Sequence, residues 1–354
     1  METRLHHLIS RIAPLDTRAQ AEAQARQDRL TKPRGSLGRL EELSVQLAGI
    51  ARSPCPSLQH KVIVTMAGDH GVAREGVSAY PQEVTAQMVA NFLRGGAAIN
   101  VLARQVGARV VVVDMGVATN LAPHPALISR RVGPGTASIT GGPAMSREQA
   151  VQALLSGAEV VEAELARGLD ILGTGDMGIG NTTPSAAIAA AFTGLPPADL
   201  VGRGTGLDDA GQARKMNAVS RALDVNRPDP DDGLDVLAKV GGFEIGGIAG
   251  AILAAAALSR PVVIDGYIST AAALVATSLA PQVRPYLIAS HRSHELGHRL
   301  MLEWLGFRPL LDLDLRLGEG TGAALGIFLA EAACRILAEM ATFEEAGVAG
   351  RSQT

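Results

Sequence analysis

Aromatic residues are scarce in this chain, at 3% of the total, and cysteine occurs only as Cys55 and Cys334. A groove for single-stranded nucleic acid needs stacking rings along a basic path. The net charge of −3 and the few rings offer neither, so nucleic acid is not an expected partner. Two cysteines far apart in sequence supply no metal-type spacing and no disulfide framework, and they fit a reducing, cytoplasmic compartment. Long apolar runs are also missing. The most apolar one, Ile245–Leu258, falls short of the roughly 20 residues a spanning helix needs and reads as a buried helix. The N-terminal METRLHHLISRIAPLD is polar, broken by Pro14, and has no signal-peptide character. The expectation is a soluble protein with no membrane partner.

What is present is a repeated pattern. A short β-branched run ends in a cluster of Gly, Asp, Ser or His, and helical sequence follows. The runs are Lys61–Ala67 before GDHGV, Arg109–Val113 before DMGV, Leu169–Leu172 before GTGDMGIGNTT, Val262–Ile264 before DGYIST, Tyr286–Ala289 before SHRS, and Leu310–Leu317 before GEGTG. Apolar runs without alternation imply strands buried on both faces, hence an α/β fold with a mostly parallel, Rossmann-like sheet flanked by helices. Ligands of such sheets bind beyond the carboxyl ends of the strands, where all six clusters are expected to converge. Each cluster alone is also ordinary turn chemistry. Helical sequence at both ends suggests a small helical subdomain from residues 1–30 and 331–354, beside a large catalytic domain over 31–330.

Three segments carry phosphate-type signals. In LDILGTGDMGIGNTTPSAAIAAAF, glycines lead into a helix that Thr183 and Pro184 are expected to open. Glycine lets backbone approach a ligand, and unpaired N–H groups at a helix start favour an anion. VGRGTGLDDAGQARKMNAV places Gly202 before a helix carrying Lys215, and RLGEGTGAALG places Arg316 before a third loop and helix. Two other motifs compete. Gly173, Gly175 and Gly178 spell the dinucleotide fingerprint, but the acid that would complete it, Asp199, follows Pro196–Pro197 in a turn rather than ending a strand. HELGH, residues 294–298, matches the zincin pattern, with Glu295 as base and Glu319 as a third ligand. Glu319, however, stands in a glycine loop, and both histidines also read as surface residues of an Arg-rich helix.

Taken together, KPRGSLGRLEEL (32–43), AGDHGV, GDMGIGNTTP, KVGGFEIGG, DGYIST, RPYLIASH and RLGEGTGAALG (316–326) resemble the nicotinate-nucleotide:dimethylbenzimidazole phosphoribosyltransferase family of cobalamin lower-ligand synthesis, in the family's order over most of the chain. The resemblance implies a homodimer and no cofactor or metal. It also implies the reaction: nicotinate mononucleotide plus 5,6-dimethylbenzimidazole gives α-ribazole 5′-phosphate plus nicotinate. The family's RLGEG carboxylate acts as the base, which here is Glu319. Asp176 stands where the family has glutamate, and is open to assisting the base, orienting the incoming ring through water, or capping its loop.

For the phosphoribosyl and nicotinate groups the resemblance and the loops together point to Gly175, Met177, Gly178, Gly180, Asn181, Thr182, Gly202, Lys215, Ser290, Arg316, Gly318 and Gly320. For the aromatic base they point to Tyr80, Met88 and Leu317. Tyr80 replaces a small hydroxyl residue of the family and either narrows the pocket or stacks on the ring, which leaves the accepted base open. Asp69, His70 and Asp265 read equally as acid–base groups and as strand-end turns.

The chemistry fits these residue types. Nicotinate leaves from a pyridinium nitrogen and needs no proton, so neither a general acid nor a metal is required there. The sugar carbon becomes oxocarbenium-like. The incoming benzimidazole must lose its second N–H proton, which calls for a carboxylate. A zinc hydrolase and a non-catalytic nucleotide binder are the competing classes.

Overall fold

Val62, Val64 and Met66 of the first strand point into one apolar core, and Ile63 and Ala67 point into another. That alternation, with every residue buried, is what a β-branched run in the middle of a covered parallel sheet must do. The structure, a computed structural model, describes residues 1–204 and 206–349. Three helices lead the chain, α1 (Glu2–Ser10), α2 (Thr17–Gln27) and α3 (Arg39–Ala51). Next come β1 (Lys61–Gly68), α4 (Val84–Arg94), α5 (Ala98–Val106), β2 (Ala108–Gly116), β3 (Leu127–Ser129) and α6 (Arg147–Leu165). Strand β4 (Ile171–Met177) precedes α7 (Thr182–Thr193), the single turn α8 (Pro197–Leu200), α9 (Asp209–Asn226), α10 (Gly233–Val240) and α11 (Phe243–Ala257). The chain then runs through β5 (Val262–Ile264), α12 (Tyr267–Leu279), β6 (Leu287–Ala289), α13 (His298–Leu305) and α14 (Thr321–Glu339).

The strands form one sheet in the order β3-β2-β1-β4-β5-β6, and every pair is parallel. Chain direction across the sheet reverses between β1 and β4, which opens a crevice at their carboxyl ends. Helices cover both faces. One core gathers α6, α7, α10, α11 and α12 with Val113, Leu172 and Ile264, and the other gathers α3, α4, α5 and α14 with Val112, Ile171 and Val263. Each fully buried aliphatic side chain contributes roughly 1.5–3 kcal/mol. This is the Rossmann-like α/β sheet that the sequence pattern implies.

Two strand assignments differ. Leu310–Leu317 is not a strand. Only Leu311 bridges, to His291, and Asp314 has φ 53°, a left-handed conformation that a strand does not admit. The edge strand β3 is only three residues long, too short for periodicity to reveal.

The chain ends meet through α2, α3 and the second half of α14. There Ala23, Ala48 and Leu337 form a small cluster, and the Arg26 Nε–H donates to the Leu337 carbonyl at 2.6 Å. Helix α1 lies elsewhere, with Leu5 and Leu8 in the core shared by α6 and α11. Among the described residues only α14 is long and apolar enough to cross a membrane, and its Ala323, Ile327 and Ala330 are buried in the second core.

Helix α11 is the hydrophobic run noted above. It is buried almost end to end, between the sheet and α6. Its glycines set that distance: a Cβ on Gly250 would lie 1.8 Å from the Leu154 carbonyl oxygen. Gly250→Ala must therefore push two helices apart, and is expected to cost about 3 kcal/mol or more in a denaturant titration. Gly142→Ala, with nothing within 4 Å of the added methyl, is expected to stay within about 0.5 kcal/mol of the parent.

Candidate active site

A cavity of about 390 Å³ opens at the carboxyl ends of β4, β5 and β6, within the size range of small-molecule sites. The end of β4, the loop after it and the first residue of α7 supply Asp176, Met177, Gly178, Ile179, Asn181 and Thr182. The segment before α14 supplies Arg316, Leu317, Gly318 and Glu319, and Tyr80, Val84 and Met88 close one side. Four of the six strand-end clusters reach this cavity directly. Those of β1 and β2 form a layer beneath it.

Glu319 is fixed from several directions. Its Oε2 accepts the Ile99 N–H at 3.2 Å, at the first turn of α5, where the helix dipole favours a carboxylate. Its backbone N–H donates to the Asp176 carbonyl at 3.2 Å, and its own carbonyl accepts the Thr65 hydroxyl at 2.9 Å. The residue has φ 65°, between Gly318 at 82° and Gly320 at 99°. A left-handed conformation costs a non-glycine residue roughly 1–2 kcal/mol. Only 5% exposed, the carboxyl is pushed above its ordinary range by burial, and the Ile99 bond opposes that shift.

Asp176, also buried, accepts the Asn181 side-chain N–H at 2.9 Å through Oδ2, while Oδ1 has no partner. Burial, and then the neighbouring Asp265, push its carboxyl well above the usual range. Asp265 caps α14 from the end of β5: its oxygens accept the Gly320 N–H at 3.1 Å and the Ala323 N–H at 3.0 Å. Burial raises Asp265 to about 7 despite these donors.

The cationic groups gather at Gly204. Lys215, on α9, is almost wholly buried and donates to the Gly202 carbonyl at 3.3 Å. It sits directly behind Gly204, where a Cβ would be 3.1 Å from its Nζ and 3.3 Å from the Thr182 hydroxyl. Burial lowers Lys215 to about 8, with Glu295 opposing. Arg316 stands exposed at the mouth and donates to the Gly204 carbonyl. Helix α7 presents its N-terminus to the cavity. Its N-cap is Asn181 rather than Thr183, because Asn181 is drawn in by Asp176.

Several predicted residues stand behind the wall instead of on it. Gly175 and Gly320 are packing positions, since a Cβ on Gly175 would come within 2.2 Å of the Glu319 carbonyl oxygen. Gly180 lies against Ala73, and Gly202 against Glu295 and Leu296. Ser290 is fully buried and bonds the Asp265 carbonyl and His291 Nδ1, so the cavity is reached by His291 and Ser293 in its place. Burial lowers His291 to about 4. Sequence reasoning missed Val84, Ile179, Gly204, Gly266, Tyr267, Ile268 and Ser293. DGYIST was the signal for three of these.

Both competing motifs fail structurally. Gly173 and Gly175 lie inside β4, so the G-x-G-x-x-G glycines serve strand packing and form no phosphate turn. HELGH is not one helix, because α13 begins at His298. His298 accepts the Ser293 N–H at Nδ1 (2.8 Å) and bonds the Thr270 hydroxyl through Nε2 (2.8 Å), which leaves no ring nitrogen for a metal. His294 is exposed beside Asp314.

Beneath the cavity His70 Nε2 pairs with Glu244 Oε1 at 2.7 Å, both fully buried. Burial opposes the charged imidazole, but Glu244 and then Asp69 outweigh it and raise His70. Asp69 accepts the Ala118 N–H at 2.8 Å and the Thr85 hydroxyl, and Thr85 Oγ1 accepts the Ile179 N–H at 3.1 Å. Helix α4 and the loop after β4 are thereby pinned to one strand end.

The sequence matches the family model described as phosphoribosyltransferase over residues 12–348. It is similar to the nicotinate-nucleotide–dimethylbenzimidazole phosphoribosyltransferase of a Roseiflexus species, 64% identical over 98% of each chain. The protein of that name from Chloroflexus aurantiacus is 59% identical over 96% of this chain and 97% of its own. A crystal structure so described from Thermus thermophilus superposes with a TM-score of 0.90 at 51% identity, covering 95% of this chain and 100% of that one.

The raised carboxyl of Asp176 carries a stability cost with a definite sign. Unfolded, it ionises near pH ~3.9; folded, it holds its proton to a higher pH, so stability is lost as pH rises between those values. Asp176→Asn is therefore expected to raise the melting temperature of the unliganded protein, by more at pH 8 than at pH 5. An advantage that shrinks with rising pH would contradict the assignment.

Proposed function

This chain belongs to the phosphoribosyltransferase family, and on that premise we propose that it moves the phosphoribosyl group of nicotinate mononucleotide onto 5,6-dimethylbenzimidazole, with Glu319 as general base. The observation that carries the reading is a buried, helix-anchored carboxylate in a cavity that Arg316 and the start of α7 also line, with Lys215 behind the lining residue Gly204. An anionic phosphate belongs beside the cationic groups, and a heterocycle with a proton to lose belongs beside Glu319. Val84, Met88, Met177 and Ile179 offer an apolar surface for the dimethyl ring. Leu317 and Tyr80, each more than half exposed, form the rim, so Tyr80 stacks at the entrance and does not narrow the interior.

The steps balance without a further reactant. The bond between the anomeric carbon and the pyridinium nitrogen breaks, its electron pair stays on nitrogen, and nicotinate departs with no proton. One ring nitrogen of dimethylbenzimidazole donates its pair to the sugar carbon from the opposite face, which converts β to α. The other nitrogen's proton passes to Glu319. Proton removal by a placed base is worth roughly 10²–10⁴-fold, and positioning two bound substrates supplies much of the rest. Burial and Asp265 raise Asp176, which favours the protonated form as a hydrogen-bond donor beside the base.

The pH profile of kcat/KM tests this assignment. Glu319 is competent only when ionised, so the acid limb is expected to lie above the ordinary glutamate range. Lys215 loses its charge as pH rises through about 8, which sets the basic limb. Glu319→Gln is expected to abolish the acid limb and lower turnover about 10²-fold or more, with nicotinate mononucleotide binding nearly unchanged. An acid limb that survives in this variant removes Glu319 from the mechanism.

A further inference from the structure

Glu295 has no role in the transfer as described, yet it is only 8% exposed and lines the same cavity. Its Oε2 is buried and has no hydrogen-bond partner among the described residues. Lys215 donates to the Gly202 carbonyl, and no hydrogen bond joins it to Glu295 Oε2. A Cβ on Gly202 would come within 2.5 Å of Glu295 Oε2, so the carboxylate lies against the backbone that leads to the phosphate side.

The loop that presents Glu295 is built to hold it. Its backbone N–H donates to the Ser293 hydroxyl at 3.3 Å, and its carbonyl accepts the His298 N–H at 3.0 Å. His298 in turn receives the Ser293 N–H on Nδ1 and is anchored to Thr270 through Nε2. Two of the three residues that gave HELGH its zincin appearance therefore work together, His298 fixing the loop and Glu295 holding a carboxylate at the cavity.

A buried carboxylate without a donor is a costly arrangement unless a ligand supplies one. Nicotinate mononucleotide carries two anionic groups, a pyridinium nitrogen with no hydrogen to donate, and the ribose hydroxyls. Its phosphate and its ring carboxylate are anionic acceptors that Glu295 repels, and the 2′- and 3′-hydroxyl groups of the ribose are the donors that remain. Vicinal hydroxyls match the two oxygens of one carboxylate. We infer that Glu295 binds the ribose hydroxyls and fixes the sugar between the phosphate site and Glu319. The inference rests on the proposed transfer only in placing a ribose 5-phosphate unit in this cavity.

The first test needs no turnover. Ribose 5-phosphate and inorganic phosphate are titrated by calorimetry into the parent protein, Glu295→Gln and Glu295→Asp, each checked by its melting curve. The ratio of the two affinities is expected to fall about tenfold or more in both variants, as for a lost hydrogen bond to a charged group. A ratio that stays at the parent value overturns the inference and leaves Glu295 as a remote counter-charge to Lys215. Glu295→Asp keeps that charge but withdraws the oxygens, so it separates contact from field.

The second test compares kcat/KM for nicotinate mononucleotide and its 2′-deoxy and 3′-deoxy analogues. The intrinsic reactivity of each analogue cancels when its penalty in the parent is divided by its penalty in Glu295→Gln. At least one penalty is expected to shrink about tenfold in the variant. Penalties that are unchanged for both analogues would sink the idea. If no product forms with any enzyme, the transfer reading fails, while the calorimetric ratio still decides the role of Glu295.

Discussion

The site depends on one buried carboxylate that never enters the reaction. Asp265, at the end of β5, accepts N–H groups of Gly320 and Ala323 and so fixes where α14 begins. Its own N–H donates to the Thr174 hydroxyl of β4. The Thr65 hydroxyl of β1 holds the Glu319 carbonyl, and the Asp176 carbonyl of β4 holds the Glu319 N–H. Three neighbouring strand ends thus grip one three-residue loop, and that grip keeps Glu319 in a left-handed conformation a free chain would leave. The strain aims the side chain at the cavity and at the first turn of α5.

The electrostatics of the site follow from the same packing. Asp176, Asp265 and Glu319 lie close together with little water, so burial raises all three. The cationic groups, Lys215 and Arg316, gather around Gly204. Burial weakens Lys215 as a cation, and an anion placed beside it would restore its charge.

Much of this was legible in the sequence, and the failures have physical causes. Strands β1 and β2 were visible because a strand covered on both faces is mostly apolar. Strand β4 was read two residues early, at Leu169–Leu172, because the glycines and acid of Gly173–Met177 look like a loop. The glycines and acids beyond β4 and before α14 marked the cavity correctly as a region. Individual side chains were harder, because Ser290 and His291 are adjacent, and only the local backbone decides which one faces the ligand. Leu310–Leu317 looked like a strand by its leucines, but Asp312 and Asp314 between them turn to water and the segment crosses the cavity mouth as a loop. HELGH and the three spaced glycines failed for a shared reason. Each motif presumes a backbone, a helix in one case and a turn in the other, that its neighbours did not form.

Unsatisfied polar atoms point to the same place as the cavity does. Among the described residues, the acidic oxygens that are buried without a partner belong to Asp69, Asp176, Glu244 and Glu295. All four lie at the carboxyl end of the sheet or in the loops beside it, and none lies in either helical layer's interior. A fold selected for stability alone would not concentrate such groups, because each carries a desolvation cost that a neutral residue avoids. Asp176 and Glu295 line the cavity. Asp69 and Glu244 lie beneath, Glu244 bonded to His70, and Glu244 adds to the field that raises Asp176. The lower layer thus adds to a field that burial and Asp265 chiefly set in the upper one.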